Sequence, residues 1–169
     1  MKIVKYKDAY QESIKKLLVE LQQFVVSIDK FHLNKITKSY EELYFENLFQ
    51  KVKTQNGAVF VAENQNEIVG FIAGGIVQYD EVDKTCYACP LKGEVFELVV
   101  SEKHRRLGVG QKLIEEMECY FKSKGCECVE LDVFAYNETA LKFYNKNGYE
   151  TRMVKVFKNF NNNEENNNE

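Results

Sequence analysis

A run of about 18 apolar residues, which crossing a bilayer requires, is missing from this 169-residue chain, so no membrane span is expected. The N-terminus opens on Lys2, Ile3, Val4 and Lys5 and lacks the apolar stretch of a secretion signal. A formal charge of −3 leaves no general excess of positive charge, which argues against bulk nucleic-acid binding. The five cysteines are an odd number, which fits a reducing cytoplasm better than a disulfide framework. Cys86-x-x-Cys89 and Cys126-x-Cys128 can be drawn as a four-thiolate zinc site. Yet the second spacing is too tight for a zinc ribbon, and Cys128 is expected to open a buried strand. Free buried thiols are the expectation, with no metal. Internal repeats are also missing. What is present is 44% apolar content, ample for one sizeable core, and residues 1–158 read as one domain. From Asn159 onward, seven Asn and three Glu among eleven residues cannot bury enough apolar area to order themselves, so 159–169 is expected to be a disordered tail.

In this mildly acidic chain, positive charge gathers at one turn. Residues 105–110 read Arg105, Arg106, Leu107, Gly108, Val109, Gly110, between an apolar run (Val95 to Val100) and a helix-patterned stretch (Val109 to Lys124). A strand delivers the chain, the glycines let it turn, and the unpaired N–H groups of the new helix converge outward. Such a nest binds anionic oxygen through backbone alone. Lys103, His104 and Lys112 crowd the same turn, favouring a polyanion twice over. The spacing is neither of two familiar cradles. Gln111-Lys112-Leu113 follows Gly110 where a Walker loop needs Lys then Ser or Thr, and Leu113 stands where a dinucleotide fingerprint needs its third glycine.

The remaining pattern, Arg-x-x-Gly-x-Gly, resembles motif A of the GNAT superfamily of N-acetyltransferases. A second motif supports the resemblance after one helix and one strand: Asn137, Ala140, Phe143, Tyr144, Gly148 and Tyr149 are similar to the family's Asn-x-x-Ala-x-x-Phe-Tyr-x-x-x-Gly-Phe pattern. Asn137 suits an N-cap, Ala140 leaves room for a ligand to pass, and Gly148 suits a left-handed C-cap.

Periodicity along the chain gives the order β-α-α-β-β-β-α-β-α-β. A short strand covers 2–6. A helix then starts at Asp8 with Gln11 in capping-box position, and Tyr10, Ile14, Leu17, Leu18 and Leu21 form one stripe. A second capping box, Ser39-x-x-Glu42, opens a helix over about 40–55. Strands over 59–63 and 68–79 flank the turn at 64–67 as a hairpin, and 80–92 reads as a loop. Strands over 95–100 and 129–134 enclose a helix, so that crossover is parallel and right-handed. The last helix spans 137–147, and a strand from Tyr149 to Phe157 closes the sheet. This order is the one the resemblance implies: an α/β (α+β by some schemes) GNAT-like three-layer fold, a mixed sheet of about six strands flanked by four helices. An unpaired edge over 149–157, with Met153, Val154, Val156 and Phe157, suggests a homodimer.

The resemblance also implies chemistry: direct transfer of acetyl from acetyl-CoA to a primary amine. It places the pyrophosphate on Arg105, Arg106, Leu107, Gly108, Val109, Gly110 and Gln111, and the coenzyme's arm along the backbone of Leu98, Val99 and Val100. Asn137, Ala140 and Tyr144 would line the same ligand. Tyr144 stands at the family's general-acid position, and a phenol of pKa about 10 can protonate a thiolate whose conjugate acid lies near about 8.5. Glu97 and Asp132 are the candidate bases, with water as a third possibility. An acidic rim from Asp29, Glu41, Glu42, Asp80, Glu81 and Asp83 would suit a cationic acceptor such as a polyamine, an aminoglycoside or a basic peptide. A non-catalytic acyl-CoA sensor is the alternative, which a retained Tyr144 disfavours.

Overall fold

The stripe read in the first helix is buried as expected: α1 (Gln11–Ile28) turns Ile14, Leu17 and Leu18 inward. It packs with α2 (Tyr40–Thr54), whose Phe45, Leu48 and Val52 are buried. Both lie on one face of a sheet made of β1 (Lys2–Lys5), β2 (Ala58–Asn64), β3 (Glu67–Ile76), β4 (Lys92–Val100) and β5 (Cys128–Leu131). Between β3 and β4 runs a one-turn helix, α3 (Asp83–Cys86). On the other face lies α4 (Val109–Ser123), which buries Val109, Leu113, Ile114, Met117 and Phe121, with α5 (Glu138–Lys146) beside it. These are the three layers expected. The computed structural model describes residues 1–160, so the expected tail lies, from 161 on, outside the described residues.

The sheet runs in sequence order, β1-β2-β3-β4-β5. The first three pairings are antiparallel and β4–β5 is parallel, joined through α4. Two bulges interrupt it. Val69 is the extra residue of β3 between Ala62↔Gly70 and Glu63↔Ile68. Phe96 is the extra residue of β4 between Ala73↔Glu97 and Gly74↔Val95.

Several expectations need correction. The sheet has five strands among the described residues, not about six: 149–157 joins no ladder, so β5 is the edge and the proposed dimer edge is not formed by that segment. Met153, Val154 and Val156, at 81%, 74% and 88% exposure, pack on nothing that would hold them as a strand. Neither capping box forms. Asp8 heads a 3-10 turn, which delays α1 to Gln11, and Ser39 (φ −95°, ψ 4°) lacks the extended geometry that aims an N-cap hydroxyl. None of the five free cysteines is buried; Cys86 on α3, Cys119 on α4 and Cys128 are exposed, the last because β5 is a half-covered edge. Among the described residues, no helix is long and apolar enough to cross a membrane and no group of three or more His, Cys, Asp or Glu could hold a metal ion.

The seat of α4 depends on glycine. A Cβ added to Gly93 would lie 2.5 Å from Cγ of Phe121, the fixed root of a buried ring. Gly93→Ala is therefore expected to cost about 1–3 kcal/mol by overpacking. Urea unfolding followed by circular dichroism checks this, and an unchanged midpoint would refute it.

Candidate active site

The ladder between β4 and β5 covers Lys92↔Cys128 to Val95↔Leu131 and stops there. Phe96 to Val100 therefore keep a backbone edge that no strand pairs among the described residues, while Leu98, Val99 and Val100 remain bonded to β3 through Ile72, Phe71 and Gly70. The gap opens because β5 ends at Leu131 and the chain leaves for α5.

At the end of β4 the chain makes the expected turn. Gly108 is the N-cap of α4 with φ +78°, and Arg106 is left-handed as well at φ +61°. No side chain caps the helix, and its first bond runs from Lys112 N–H to Gly108 O at 3.2 Å. The amides of Val109, Gly110 and Gln111 precede that bond, so they are the orphan donors of the helix end. Nothing lies within 4 Å of where a Gly108 Cβ would be. Val109 is buried beneath the turn, while Arg106 and Leu107 are exposed. Gly110 faces Phe143, whose ring would meet an added Cβ at 3.6 Å. Arg105 is partly committed elsewhere: Nε donates to Val100 O (3.2 Å), the guanidinium reaches Glu20 (3.4 Å), and the Phe24 ring lies 5.6 Å away. It fastens the cradle to α1. The Gln111 side chain donates to Glu115. Asn137 caps α5 by accepting from Ala140 N–H (3.1 Å), and Gly148 ends that helix region at φ +83°.

The bulge at Phe96 lets two consecutive residues of β4 face α2. Lys51 Nζ sits 3.9 Å over the Phe96 ring and pairs with Glu94 at 2.8 Å. The next side chain, Glu97, accepts a hydrogen bond from the Tyr44 hydroxyl. Together with Asn47, Leu48 and Asp132 they line a cleft of about 250 Å³. Glu97 on β4 and Asp132, the residue after β5, thus share one cavity. Part of the Glu97 side chain stays open to solvent, but its carboxyl lies deep among protein atoms, and that desolvation pushes its pKa up; Tyr44 and Lys51 work against the rise. Asp132 is exposed and forms no ion pair among the described residues.

Tyr144 projects from α5 on the α4 side of the sheet, its ring between Phe143 (5.1 Å) and Tyr149 (5.5 Å). Burial, and after it the negative charge of Glu97, pushes its hydroxyl up to about 12. The charge of Glu97 thus reaches the Tyr144 hydroxyl from the other side of the sheet.

Of the six acidic residues read as a rim, five are engaged with other groups. Asp29 is buried and accepts from Phe31, Leu33 and Asn34, bonds that hold its carboxyl below the usual range. Glu42 pairs with the buried Lys15, Asp80 and Asp83 bond each other's amides, and Glu81 pairs with Lys84. The carboxylates facing the cleft are Glu94, Glu97 and Asp132. Sequence reasoning missed Lys51 and Glu94, and it gave Tyr44 no role beyond lying in the 24–44 segment expected to meet the acceptor. For Tyr44 and Lys51 the signal was the helical spacing of Tyr40, Tyr44, Asn47 and Lys51, one face of α2; Glu94 lies on β4 and carried none.

A groove running from an anion-receptive helix end, along an unpaired strand, to a desolvated carboxylate suits acyl transfer from a long phosphorylated carrier. The chain belongs to the acetyltransferase (GNAT) family, whose family model matches residues 23–149. It is 31% identical over 126 residues to an uncharacterized N-acetyltransferase of Methanocaldococcus jannaschii, covering 75% of this chain and 51% of that protein, about half its length. With an N-alpha-acetyltransferase of Sulfurisphaera tokodaii it shares 30% identity over 137 residues, 80% of this chain and 79% of the other. A mutant form of the BH1408 protein from Bacillus halodurans has the same fold, with a TM-score of 0.83 over 94% of this chain and 99% of that one at 19% identity.

Gly108→Val is expected to weaken coenzyme A binding at least about tenfold, by placing a branched side chain in the open space over the cradle. The left-handed backbone adds a stability cost of about 1–2 kcal/mol. Calorimetric titration with coenzyme A, beside urea unfolding, checks both; unchanged affinity would end the cradle reading.

Proposed function

We propose that this chain is an acetyl-CoA-dependent N-acetyltransferase that transfers the acetyl group directly to a bound primary amine. The observation that carries the reading is the edge of β4 that β5 leaves unpaired, which leads from the cradle at 105–111, where Arg105 Nε donates to Val100 O, to Glu97. Backbone amides of 106–111 hold the pyrophosphate, with Arg106 and Lys112 adding charge. The backbone of Leu98, Val99 and Val100 receives the extended arm as an extra strand would be received and polarises the thioester carbonyl. Asn137 and Ala140 contribute through the placement of α5, which Asn137 caps.

An amine of pKa about 10 reaches the cleft protonated. Glu97 takes its proton, directly or through a water, with Asp132 as the alternative base. A C–N bond forms as the C–S bond breaks; Tyr144 donates its hydroxyl proton to the departing thiolate, and the second proton released from the nitrogen as the amide forms restores the Tyr144 phenol. Its raised pKa keeps Tyr144 protonated throughout the neutral range. The acceptor belongs to the polyamine, aminoglycoside-like or peptide amines, to which three carboxylates in one cleft are suited. Unpaired cysteines suit a cytoplasmic setting.

The test is thiol release from acetyl-CoA across a panel of polyamines, aminoglycosides and peptides, with mass spectrometry of the products. Coenzyme binding without turnover on any amine would favour the acyl-CoA sensor instead. Tyr144→Phe is expected to lower kcat by roughly 100-fold with coenzyme affinity unchanged; turnover at the wild-type rate would reduce Tyr144 to packing. A homodimer completes the proposal, since β5 is an open edge and Met153, Val154 and Val156 are exposed beside it. Light scattering at micromolar concentration is expected to give twice the chain mass, and a monomeric mass would refute it.

A further inference from the structure

We propose that Tyr44 is a positioning residue for Glu97, holding one carboxylate oxygen by its hydroxyl so that the other faces the acceptor amine. The proposal rests on Glu97 being the base. Tyr44 donates to Oε1 of Glu97 from α2, the helix that forms the opposite wall of the cleft. Its own orientation is fixed from behind: the Tyr40 ring stacks on it with centroids 5.1 Å apart and planes 25° from parallel. The bonded oxygen is the only one of the pair that a described side chain engages, which leaves Oε2 to the cleft.

The arrangement answers a difficulty that the site creates for itself. A base must be ionised, yet desolvation at the base of the cleft disfavours the charged form. The groups that face Glu97 are Tyr40, Tyr44 and Lys51 from α2, Glu94 from its own strand, Asp132 beyond β5 and Tyr144 from α5. Glu94 and Asp132 are like charges, and Glu94 is already paired with Lys51. Tyr44 is the group that donates a hydrogen bond to the carboxylate. Burial and the nearby Glu97 charge hold the Tyr44 phenol well above its ordinary value, so it stays a donor over the whole working range. The hydrogen bond favours ionised Glu97 and restricts its rotamers at once, which is what pre-organisation of a base requires.

Tyr44→Phe keeps the ring that stacks on Tyr40 and removes only the hydroxyl. The measurement is the titration midpoint of the Glu97 side-chain carboxyl, followed by carbon-detected NMR in the coenzyme-free protein. The pH profile of thiol release is then recorded for the wild type, Tyr44→Phe and Glu97→Gln. With the stabilising donor gone, the midpoint is expected to rise by about one pH unit, and the acid limb of the rate profile to move with it. Coenzyme affinity is expected to stay within twofold. Coincident midpoints in wild type and Tyr44→Phe would overturn the positioning role while leaving Glu97 as base. Thiol release by Glu97→Gln at the wild-type rate would overturn the base assignment itself, and with it the role of Tyr44, even where the midpoint moved.

Discussion

Past Val95↔Leu131 the backbone of β4 runs on without β5, and backbone donors and acceptors inside a sheet demand partners. This unmet demand organises the functional half of the molecule. Closing the ladder would satisfy those groups and leave a stable sheet with no groove. Ending β5 at Leu131 instead leaves an extended edge that an extended ligand can pair with. The two ends of that edge differ. One runs into the uncapped amides of α4, fit for phosphate; the other runs to the bulge at Phe96, beside a carboxylate. A single interruption in one ladder thus produces a site with an anionic end and a cationic end, matching a phosphorylated carrier and an amine.

The bulge decides which face the chemistry occupies. In an unbroken strand Phe96 and Glu97 would point to opposite faces. With one residue unpaired, both reach α2, and Glu97 meets Tyr44 instead of the apolar layer under α4. Tyr144 approaches from that other layer, so the proposed acid and base stand on opposite sides of the sheet and meet only through the gap. Such a division lets burial raise both pKa values with different consequences: a carboxyl moves toward neutral pH and becomes a better base, while a phenol at about 12 moves away and stays an acid.

What could be read from the sequence was local. Gly108 and Gly148 announce left-handed turns that the backbone adopts, Asn137 caps the helix it was expected to cap, and the stripe of α1 is the buried one. Glu97 and Asp132 were the two candidate bases and do share a cleft, although the bulge at Phe96 breaks the alternation of β4. Features that need a partner distant in sequence were not legible. Tyr44 and Glu97 are 53 residues apart, and nothing near either one announces the bond. Asp8 and Ser39 carry capping-box spacing, but whether a hydroxyl or carboxylate reaches its amide depends on the φ and ψ of the approach. Residues 149–157 have strand composition, and composition of that kind expresses fit to a half-buried surface, not an intrinsic preference. No such surface covers them among the described residues.

The apolar layer beneath α4 links these parts. Phe121 lies against Gly93 and Gly74, where β4 begins, while Val109 and Leu113 hold the helix start against the far end of the same sheet. Gly70 belongs to this seat too, its missing Cβ leaving room for Leu113 and the backbone of Val99. The helix is therefore pinned at both ends to the strands that carry the groove. A shift of α4 by a methyl group's width would move the cradle relative to Glu97, because both are referenced to β4. Coenzyme placement depends on distances of that size. In the proposed reaction the small residues along β3 and β4 would thus set the position of the acyl group as much as the amides that would hold the phosphate.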